Sequence, residues 1–305
     1  MRGPSRLSRS RNMIPGPTQL ENHHEPLTGT FPQPGDCTDW ELSAADCEGY
    51  ARDGYTAPLN LLSVAQVEAL RERLSAIGES LPDLGDSLYE IEAAWRERPD
   101  ETVLHFLGAW RVDELFHDLI FHPGVIGPAA QLLGVERLRF WHDQVFWKPP
   151  HHPGVVPWHQ DWSYWTRTTP QRHISVFVAL DDTDEENGCL QVIPGSQRWE
   201  ELPAVDFGGG MDQLFAHLSE EQREAFAPVA VPLRAGQASI HHSGLVHGSL
   251  ANRSDRARRG IVLNYMCAQT RCADGSTPLL AGCPLLEVGE LVEGPFFPLV
   301  HNGPV

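Results

Sequence analysis

A histidine and an aspartate two residues apart are the first side chains in this chain that could do chemistry together. His159 and Asp161 lie in the segment Trp158–Trp165, and residues two apart in an extended strand project to the same face. An imidazole and a carboxylate on one face could bind a metal ion. A His-x-Asp pair also arises by chance in a chain with 15 His residues, so a surface polar pair is the alternative interpretation.

A second group of candidate side chains surrounds a predicted turn nearer the C-terminus. A run of turn-forming residues predicts a tight hairpin centred between Arg253 and Ser254. In such a hairpin Ser249 lies opposite Arg258, and His247 shares their face because it precedes Ser249 by two residues. An imidazole, a hydroxyl and a guanidinium are therefore expected on one side of an antiparallel pair.

These two groups of side chains together predict one kind of site. Two imidazoles and a carboxylate, from His159, His247 and Asp161, can bind one face of a divalent iron ion and leave three coordination positions open. Dioxygen and a co-substrate that chelates through two oxygens would fill those positions. 2-Oxoglutarate chelates through its keto acid end, and Arg258 with Ser249 could bind its distal carboxylate through charged hydrogen bonds.

With these residues the sequence resembles the phytanoyl-CoA dioxygenase family of iron(II)- and 2-oxoglutarate-dependent oxygenases, over roughly residues 45–300. The matching segments, in chain order, are Lys148-Pro149-Pro150, His159-Gln160-Asp161, Asn187-Gly188-Cys189-Leu190, Ile193-Pro194-Gly195-Ser196, His247-Gly248-Ser249 and Arg258, which follows His247 by eleven residues. The resemblance implies a double-stranded β-helix core flanked by helices.

The resemblance also implies a role for each matching residue. It makes His159, Asp161 and His247 the iron ligands, with 2-oxoglutarate and dioxygen as co-substrates. The residues that it implies at the 2-oxoglutarate are Arg258 at the distal carboxylate, together with Ser249, Lys148, Gln160 and Phe177. Halogenating relatives replace the carboxylate ligand with a small residue, whereas Asp161 is retained here. The resemblance therefore implies a hydroxylase, or a relative that performs desaturation or ring chemistry.

The pattern of the chain indicates helices first and strands afterwards. Apolar residues at helical spacing predict a helix within Pro58–Ile77 that Ser63 can cap, and mainly helical structure up to about residue 135. Short β-type runs separated by turn clusters follow from Leu138, which favours a barrel or sandwich over a parallel α/β sheet. With the resemblance, the predicted fold class is α+β with a mainly β core: a jelly-roll, cupin-like double-stranded β-helix with flanking N-terminal helices.

The predicted domain organisation has two parts. Residues 1–35 are rich in Pro, Arg, Ser and Gly and are expected to form a disordered tail. Residues 36–305 are expected to form a single oxygenase domain, with a helical part to about 135, a β-helix core over about 138–270 and a C-terminal extension. The candidate site residues span too much of the chain to be divided between two domains.

The surroundings of the two motifs leave alternatives open. Three aromatic residues after the first motif could line a substrate pocket or belong to the core; they are Trp162, Tyr164 and Trp165. His241 and His242 could be additional ligands. The favoured interpretation is a strand end with one imidazole inward and one solvated, because the spacing to Arg258 selects His247.

Charge and cysteine content exclude several function classes. The 41 acidic and 23 basic residues give a formal charge of −18, which argues against a nucleic acid or an anionic membrane surface as a partner. Six cysteines without a CxxC pair predict reduced thiols in a cytoplasmic protein, and no apolar run is long enough to span a membrane. The sequence does not indicate an oligomeric state.

The predicted activity is hydroxylation of an unactivated C–H bond in a small organic molecule, with release of succinate and carbon dioxide. Aromatic density near the motif and the acidity of the chain favour a neutral or cationic substrate with apolar or ring surface. Two alternatives share the fold: a cupin-like metalloenzyme that uses no 2-oxoglutarate, and a non-catalytic protein that binds a small molecule. The first gives Arg258 no function, and the intact ligand set disfavours the second.

Overall fold

Most helices lie in the first half of the chain, whereas strands occur throughout it. A computed structural model of the protein describes residues 19–33 and 40–303. The α-helices are α1 (Ala44–Asp53), α2 (Val64–Leu84), α3 (Ala93–Glu97), α4 (Ala109–Val112), α5 (Glu114–Leu119), α6 (Pro123–Leu133) and α7 (Glu220–Glu224). The strands are β1 (Tyr55–Asn60), β2 (Glu90–Ile91), β3 (Leu104–Leu107), β4 (Arg137–Lys148), β5 (Val156–His159), β6 (Thr168–Thr169), β7 (His173–Ala179), β8 (Leu190–Val192), β9 (Val229–Val231), β10 (Gln237–His242), β11 (His247–Ser249), β12 (Arg258–Cys267), β13 (Arg271–Cys272) and β14 (Leu299–Asn302). Short 3-10 helices cover Leu20–Asn22, Gly85–Ser87, Asp161–Tyr164, Ser196–Arg198 and Gln213–His217.

Two antiparallel sheets face each other across the interior of the molecule. The larger sheet has the strand order β1-β10-β7-β12-β4-β3-β2, and β14 also pairs with β4. The smaller sheet has the order β5-β11-β8-β9, and β6 pairs with β13 in a separate ribbon. Strands that follow one another in the chain repeatedly lie in opposite sheets, which is the arrangement of a jelly roll, or double-stranded β-helix. The predicted fold class is thereby confirmed.

The strands of the larger sheet have two different faces. In β7, Val176 and Val178 belong to the apolar core that the helices cover, whereas Phe177 packs with residues of the smaller sheet. Ser175 shares the face of Phe177 because successive side chains of a strand point to opposite sides. The inner face of this sheet therefore supplies side chains to the space between the two sheets, and the outer face packs on helices.

Helix α2 covers the outer face of the larger sheet. Ser63 caps it, as predicted: its side chain accepts a hydrogen bond from the backbone N–H of Gln66, and the Gln66 side chain accepts one from the backbone N–H of Ser63. The buried residues of α2 recur at spacings of three or four and are Val67, Leu70, Leu74, Ile77 and Leu81. Among the helices of the described residues, none is both long and apolar enough to cross a membrane.

The N-terminal part contains strands that the sequence pattern did not indicate. β1 pairs with β10 at one edge of the larger sheet, and β3 pairs with β4. The predicted helix over Pro58–Ile77 begins later than expected, because Pro58 lies in β1 and α2 starts at Val64. Proline lacks an N–H, so an edge strand tolerates it and a helix interior does not. The expectation of mainly helical structure up to about residue 135 is wrong for these strands.

Part of the predicted N-terminal tail packs on the rest of the chain. Leu20 and Phe31 are 2% and 4% exposed. The backbone N–H groups of Leu27 and Thr28 donate hydrogen bonds of 2.7 and 2.6 Å to the carboxylate of Asp118. The prediction of a disordered tail over residues 1–35 is therefore wrong for residues 19–33, because they bury apolar side chains. Residues 1–18 and 34–35 lie outside the described residues.

Candidate metal centre and adjoining cavities

His159 and His247 lie directly opposite each other on adjacent strands of the smaller sheet. His159 ends β5, His247 begins β11, and the two residues are partners in the antiparallel register. Their ring centroids are 4.2 Å apart. The Nδ1 atom of His159 is 2.8 Å from the Pro157 carbonyl oxygen, and that of His247 is 2.9 Å from the Leu245 carbonyl oxygen. When Nδ1–H donates to a carbonyl in this way, Nε2 keeps its lone pair for a metal ion.

Asp161 lies beside both imidazoles at the start of a 3-10 helix. Its Oδ1 atom is 3.6 Å from His159 Nε2 and 3.7 Å from His247 Nε2. Its Oδ2 atom accepts a 2.5 Å hydrogen bond from Ser175 Oγ and lies 3.3 Å from His241 Nε2. Sequence spacing placed His159 and Asp161 on one strand face, but β5 ends at His159, so the two side chains meet across a strand end.

The donor set of this triad fits divalent iron. The ligand atoms of His159, Asp161 and His247 lie within 4.8 Å of one another, and all three residues are buried. Burial opposes ionisation of Asp161, but His247, His159 and His241 outweigh it and hold the pKa of Asp161 well below its usual range. Burial and the neighbouring His159 lower the pKa of His247, so its imidazole is neutral. Neutral imidazoles and an ionised carboxylate are the forms that bind a metal ion.

The triad borders a cavity between the two sheets, which is called the Arg258 cavity below. Arg258 and Ser249 also line it. Apolar side chains from both sheets complete its walls: Phe146, Phe177 and Val262 from the larger sheet, and Val156 and Leu190 from the smaller one. Of the residues expected at the 2-oxoglutarate, this cavity brings together Arg258, Ser249 and Phe177.

Arg258 is a buried cation without a protein anion bound to it. It is 2% exposed, and its guanidinium makes no hydrogen bond or ion pair within residues 19–33 and 40–303. The guanidinium carbon lies 4.8 Å from the centroid of the Phe177 ring. Burial lowers the pKa of Arg258 to about 10, so the group remains charged at neutral pH. A buried charge is unfavourable unless it is paired, and the cavity is therefore suited to an anion.

Arg258 and Ser249 reach this cavity from different sheets, so the predicted hairpin is wrong. β11 pairs with β5 and β8, whereas β12 pairs with β4 and β7, and the residue opposite Arg258 is Lys148. The connecting segment crosses between the sheets. Asn252 fixes it by donating from its amide nitrogen to the Arg256 carbonyl oxygen at 2.6 Å. Arg258 and Ser249 converge because the two sheets face each other, not because they are paired.

Lys148 supports Ser249 and does not line the Arg258 cavity. It is fully buried, and Nζ lies 2.7 Å from Ser249 Oγ, 3.2 Å from the Ser249 carbonyl oxygen and 2.5 Å from the Leu250 carbonyl oxygen. Burial and the neighbouring Arg258 lower the pKa of Lys148, but three oxygen acceptors around Nζ match the three N–H donors of the ammonium form. The direct contact of Lys148 with the co-substrate stays a prediction, and in the structure the ammonium group reaches the cavity through Ser249. Ser249 Oγ accepts from Lys148, which leaves its hydroxyl hydrogen free to donate into the cavity.

Gln160 joins neighbouring loops and does not line the Arg258 cavity either. Its Oε1 atom accepts hydrogen bonds from Trp162 Nε1 at 2.9 Å and from the Leu202 N–H at 2.8 Å. Its Nε2 atom donates to the Gly244 carbonyl oxygen at 2.9 Å. The contact of Gln160 with the co-substrate stays a prediction: in the structure these bonds occupy the amide, which holds the segment between the ligands His159 and Asp161 in place.

A second cavity, called the Glu92 cavity below, adjoins the Arg258 cavity. Asp161 and Gln144 line both of them, and the volume of the Glu92 cavity is about 300 Å³. The residues that line only the Glu92 cavity are Glu90, Glu92, His105, Leu107, Trp141, His142, Tyr164, Trp165, Phe207, Leu279 and Leu280. Because it borders Asp161, a molecule held there lies next to the metal-binding triad.

Two of the three aromatic residues expected at a substrate pocket lie in the Glu92 cavity. Tyr164 and Trp165 line it. Trp162 does not: its indole N–H donates to Gln160, and its ring packs edge-on against His242 with centroids 5.7 Å apart. Trp162 therefore belongs to the packing behind the site.

Ser175 and His241 contact Asp161; the sequence analysis did not identify Ser175, and it considered His241 only as an additional ligand. His241 is 1% exposed and His242 is half-buried, so His241 is the inward imidazole of the predicted strand end. His241 is the register partner of Ser175 across β10 and β7, and this pairing brings both side chains to one carboxylate oxygen. The only sequence signal was that Ser175 alternates with the outward-facing Val176, and alternation does not reveal the partner strand.

The fold and the site define a class of protein before any relative is considered. A jelly roll that holds two histidines and an aspartate beside a buried, unpaired guanidinium has the parts of a non-haem iron oxygenase that uses 2-oxoglutarate.

Comparisons with known proteins identify the family. The model of the family described as phytanoyl-CoA dioxygenase (PhyH) matches residues 50–260. Over 235 residues the chain is 29% identical to L-proline trans-4-hydroxylase of Streptomyces griseoviridis, covering 71% of this chain and 83% of the relative. Over 267 residues it is 30% identical to phytanoyl-CoA dioxygenase domain-containing protein 1 of Bos taurus, covering 74% of this chain and 90% of the relative.

Among solved structures, a similar one is the non-haem alpha-ketoglutarate-dependent carbocyclase SnoK from nogalamycin biosynthesis. It matches with a TM-score of 0.67 and 28% identity, covering 85% of this chain and 96% of that one. The chain belongs to the phytanoyl-CoA dioxygenase family. It is an iron(II)- and 2-oxoglutarate-dependent dioxygenase, as the sequence predicted.

Proposed function

We propose that this protein hydroxylates an unactivated C–H bond of a small organic molecule, with iron(II) held by His159, Asp161 and His247. 2-Oxoglutarate binds in the Arg258 cavity and is converted to succinate and carbon dioxide. The observation that carries the proposal is the buried guanidinium of Arg258, which makes no hydrogen bond or ion pair within the described residues and lines the same cavity as the three ligands. A carboxylate at that point supplies the missing counter-charge.

The protein ligands hold the metal ion in a defined geometry. Iron(II) bound by two imidazoles and one carboxylate supplies open coordination positions and the oxidising chemistry. The carbonyl partners of Nδ1 fix the ring orientations of His159 and His247. Ser175 and His241 hold Oδ2 of Asp161, which leaves Oδ1 directed at the histidines. Such outer contacts set the orientation of a ligand without touching the metal ion.

Arg258 and Ser249 bind the distal carboxylate of 2-oxoglutarate in this proposal. Arg258 can donate two parallel N–H bonds to a carboxylate, and Ser249 can add a third from its hydroxyl, which Lys148 orients. The apolar walls of the cavity exclude water and strengthen these charged bonds. Phe177 packs against the guanidinium and limits its movement.

The organic substrate lies in the Glu92 cavity in this proposal, because that cavity borders Asp161 and has room for a small molecule. Retention of the Asp161 carboxylate supports hydroxylation, and the relatives named above include a hydroxylase and a carbocyclase. We place the activity in one domain formed by residues 36–305. A cytoplasmic location is supported by the free thiols of Cys47, Cys189, Cys267, Cys272 and Cys283.

The proposal is tested by adding iron(II) and then 2-oxoglutarate to the protein without oxygen. A weak visible absorption band is expected when the keto acid chelates the metal ion, and substrate-dependent release of succinate should follow in air. Folded protein that binds iron(II) but develops no band would instead indicate the cupin-like alternative, which uses no 2-oxoglutarate. A screen over compound classes for succinate release then identifies the organic substrate.

A further inference from the structure

The Glu92 cavity has an acidic lining beside its aromatic walls. Glu90, Glu92 and Asp161 line it, and no lysine or arginine does so among the described residues. The adjoining Arg258 cavity provides for the anionic co-substrate, so Glu90 and Glu92, which line only the Glu92 cavity, have no role in binding 2-oxoglutarate. The inference below rests on the proposed function, since it concerns the organic substrate of the same site.

The two carboxylate oxygens of Glu92, which lines this cavity, have different surroundings. Its Oε1 atom accepts a 3.1 Å hydrogen bond from the Ala94 N–H at the start of α3. No hydrogen bond to its Oε2 atom has ordinary geometry within residues 19–33 and 40–303, and His105 Nδ1 lies 4.0 Å from that atom. That distance is too long for a hydrogen bond. His105 and the Ala94 N–H lower the pKa of Glu92, although burial opposes this, so the carboxylate is ionised at neutral pH.

His105 presents a second unsatisfied atom at the same place. The residue is 6% exposed, and its Nδ1 atom is buried and has no hydrogen-bond partner in the described residues. Its ring is stacked on Phe146 with centroids 4.4 Å apart and lies 5.3 Å from Phe207. Its Nε2 atom is 3.0 Å from Gln144 Oε1. In the neutral tautomer whose Nε2–H donates to Gln144, Nδ1 keeps a lone pair, and it faces Glu92 Oε2 across a 4.0 Å gap with no donor between the two atoms.

A protonated amine supplies what these two acceptors lack. An ammonium group has several N–H donors on one atom and a charge opposite to that of Glu92. Aromatic faces also attract cations, and Trp141, Tyr164 and Phe207 line the same cavity. A group without N–H or O–H donors would leave both acceptors unpaired, and a neutral donor would leave the charge of Glu92 uncompensated.

We propose that the organic substrate carries a positively charged amino group, and that Glu92 Oε2 and His105 Nδ1 bind this group in the Glu92 cavity. Glu92 is then the residue that selects cationic over neutral substrates. The reacting carbon of the same molecule lies toward Asp161, at the side of the cavity shared with the metal-binding triad.

The test compares matched pairs of amines and their N-acetyl derivatives. Tryptamine, phenethylamine and cyclohexylamine, each with its acetylated counterpart, are titrated into the full chain loaded with iron(II) and 2-oxoglutarate in the absence of oxygen. Binding is measured by calorimetry and by ligand-observed NMR, which also detects weak complexes. At least one amine is expected to bind about 10- to 100-fold more tightly than its acetyl form, the range for a charged hydrogen bond. No preference in any pair would overturn the proposal.

Two variants connect the preference to Glu92. Glu92→Gln removes the charge and keeps an oxygen that can accept from Ala94, so it should abolish the amine preference. Glu97→Gln removes a carboxylate from the exposed part of the same helix and should leave the preference intact. An unchanged preference in Glu92→Gln would show that Glu92 and His105 form only a structural pair. If Glu92→Gln does not fold, the comparison of each amine with its acetyl form in the unmodified chain still tests whether the cavity prefers a charged amino group.

The absorption band formed by 2-oxoglutarate in the same samples separates this inference from the proposed function. A band without amine preference contradicts only the substrate inference. Folded, iron-loaded protein that forms no band contradicts the proposed function itself.

Discussion

The Arg258 cavity and the Glu92 cavity share Asp161 and Gln144 but have opposite charge. The Arg258 cavity contains a buried guanidinium among apolar side chains from both sheets. The Glu92 cavity contains two glutamates and several aromatic rings, and its described lining includes no lysine or arginine. The metal-binding triad lies where the two meet, so both cavities face the same reacting centre.

The difference between the cavities shows how local charge can overrule the net charge of the chain. A formal charge of −18 disfavours a dianion such as 2-oxoglutarate in the bulk field, but a buried guanidinium in a mainly apolar cavity acts at much shorter range. The acidic cavity repels the same dianion and attracts cations. In the proposed arrangement the two substrates are separated by charge, and each substitution below should affect one cavity, both, or neither.

The largest effect is expected at the triad, because both cavities depend on it. His159→Ala should reduce succinate formation by more than about 100-fold, since even the loss of an outer contact to a metal ligand costs about 10- to 100-fold. Iron binding, measured against a competing chelator, should weaken in parallel. His151→Ala is the matched control, because His151 is an exposed loop residue whose imidazole pairs with the exposed Asp255, away from the triad. Full turnover by His159→Ala would exclude this triad as the reacting centre.

Arg258→Ala should damage only the Arg258 cavity. Loss of one partner of a buried charge pair costs about 2–5 kcal/mol, so the KM for 2-oxoglutarate should rise at least about 30-fold. The affinities for iron(II) and for amines should stay within about twofold of those of the unmodified protein, because small shifts in side-chain packing have effects of that size.

The control for Arg258→Ala is Arg256→Ala, which removes a guanidinium that pairs with Asp184 on the surface. A rise in the 2-oxoglutarate KM of both variants alike would show that the effect comes from the connecting segment and not from the cavity.

Ser175→Ala tests the position of Asp161, which lines both cavities. Ser175 donates a hydrogen bond to Oδ2, the oxygen of Asp161 that faces away from the histidines. Affinity for iron(II) should fall by about 10-fold, the lower end for residues that orient a metal ligand. The KM for 2-oxoglutarate at saturating iron should change little. Ser276→Ala, at an exposed serine, serves as the comparison. Unaltered iron affinity together with lower thermal stability would assign Ser175 a packing role only.

The smallest effect is expected from Gly260→Ala, which alters the aromatic wall behind Arg258. A methyl group at position 260 would overlap the Phe177 ring, so this ring must move off the guanidinium. Affinity for 2-oxoglutarate should fall about two- to fivefold, in line with about 0.5–1 kcal/mol for a cation–π contact. Gly127→Ala in α6, where a methyl group meets open space, should leave this affinity unchanged. If Gly260→Ala and Gly127→Ala lower the affinity for 2-oxoglutarate equally, Phe177 has no role in binding it.

Local pattern was sufficient for some parts of the fold and failed for others. The cap at Ser63 and the apolar repeat of α2 were predictable because both depend on residues within a few positions of each other. Strand β1 was not predictable from local pattern, because Tyr55–Asn60 forms a strand by pairing with β10, which lies far along the chain. The hairpin between Ser249 and Arg258 failed for the same reason, since turn residues do not specify which sheet each flanking strand joins.

The candidate site divides in the same way. His159, Asp161, His247 and Arg258 could be identified from residue types, spacing and a family resemblance, because the chemistry of iron and a dianion limits which side chains serve. Lys148 and Gln160 match positions of the same resemblance, but the structure turns their donors toward protein oxygens. Matching a motif position gives the residue type and not the direction of the side chain.

The sequence by itself determined the ligand types, the anchor for an anion and the jelly-roll class, since these depend on the chemistry and the alternation of short segments. Only the tertiary structure decided what surrounds them: Ser175 and His241 at Asp161, the absence of an anion at Arg258 within the described residues, and the meeting of Glu92 with His105. These contacts join strands and loops that are distant in the chain, and their geometry arises when two sheets close over one another.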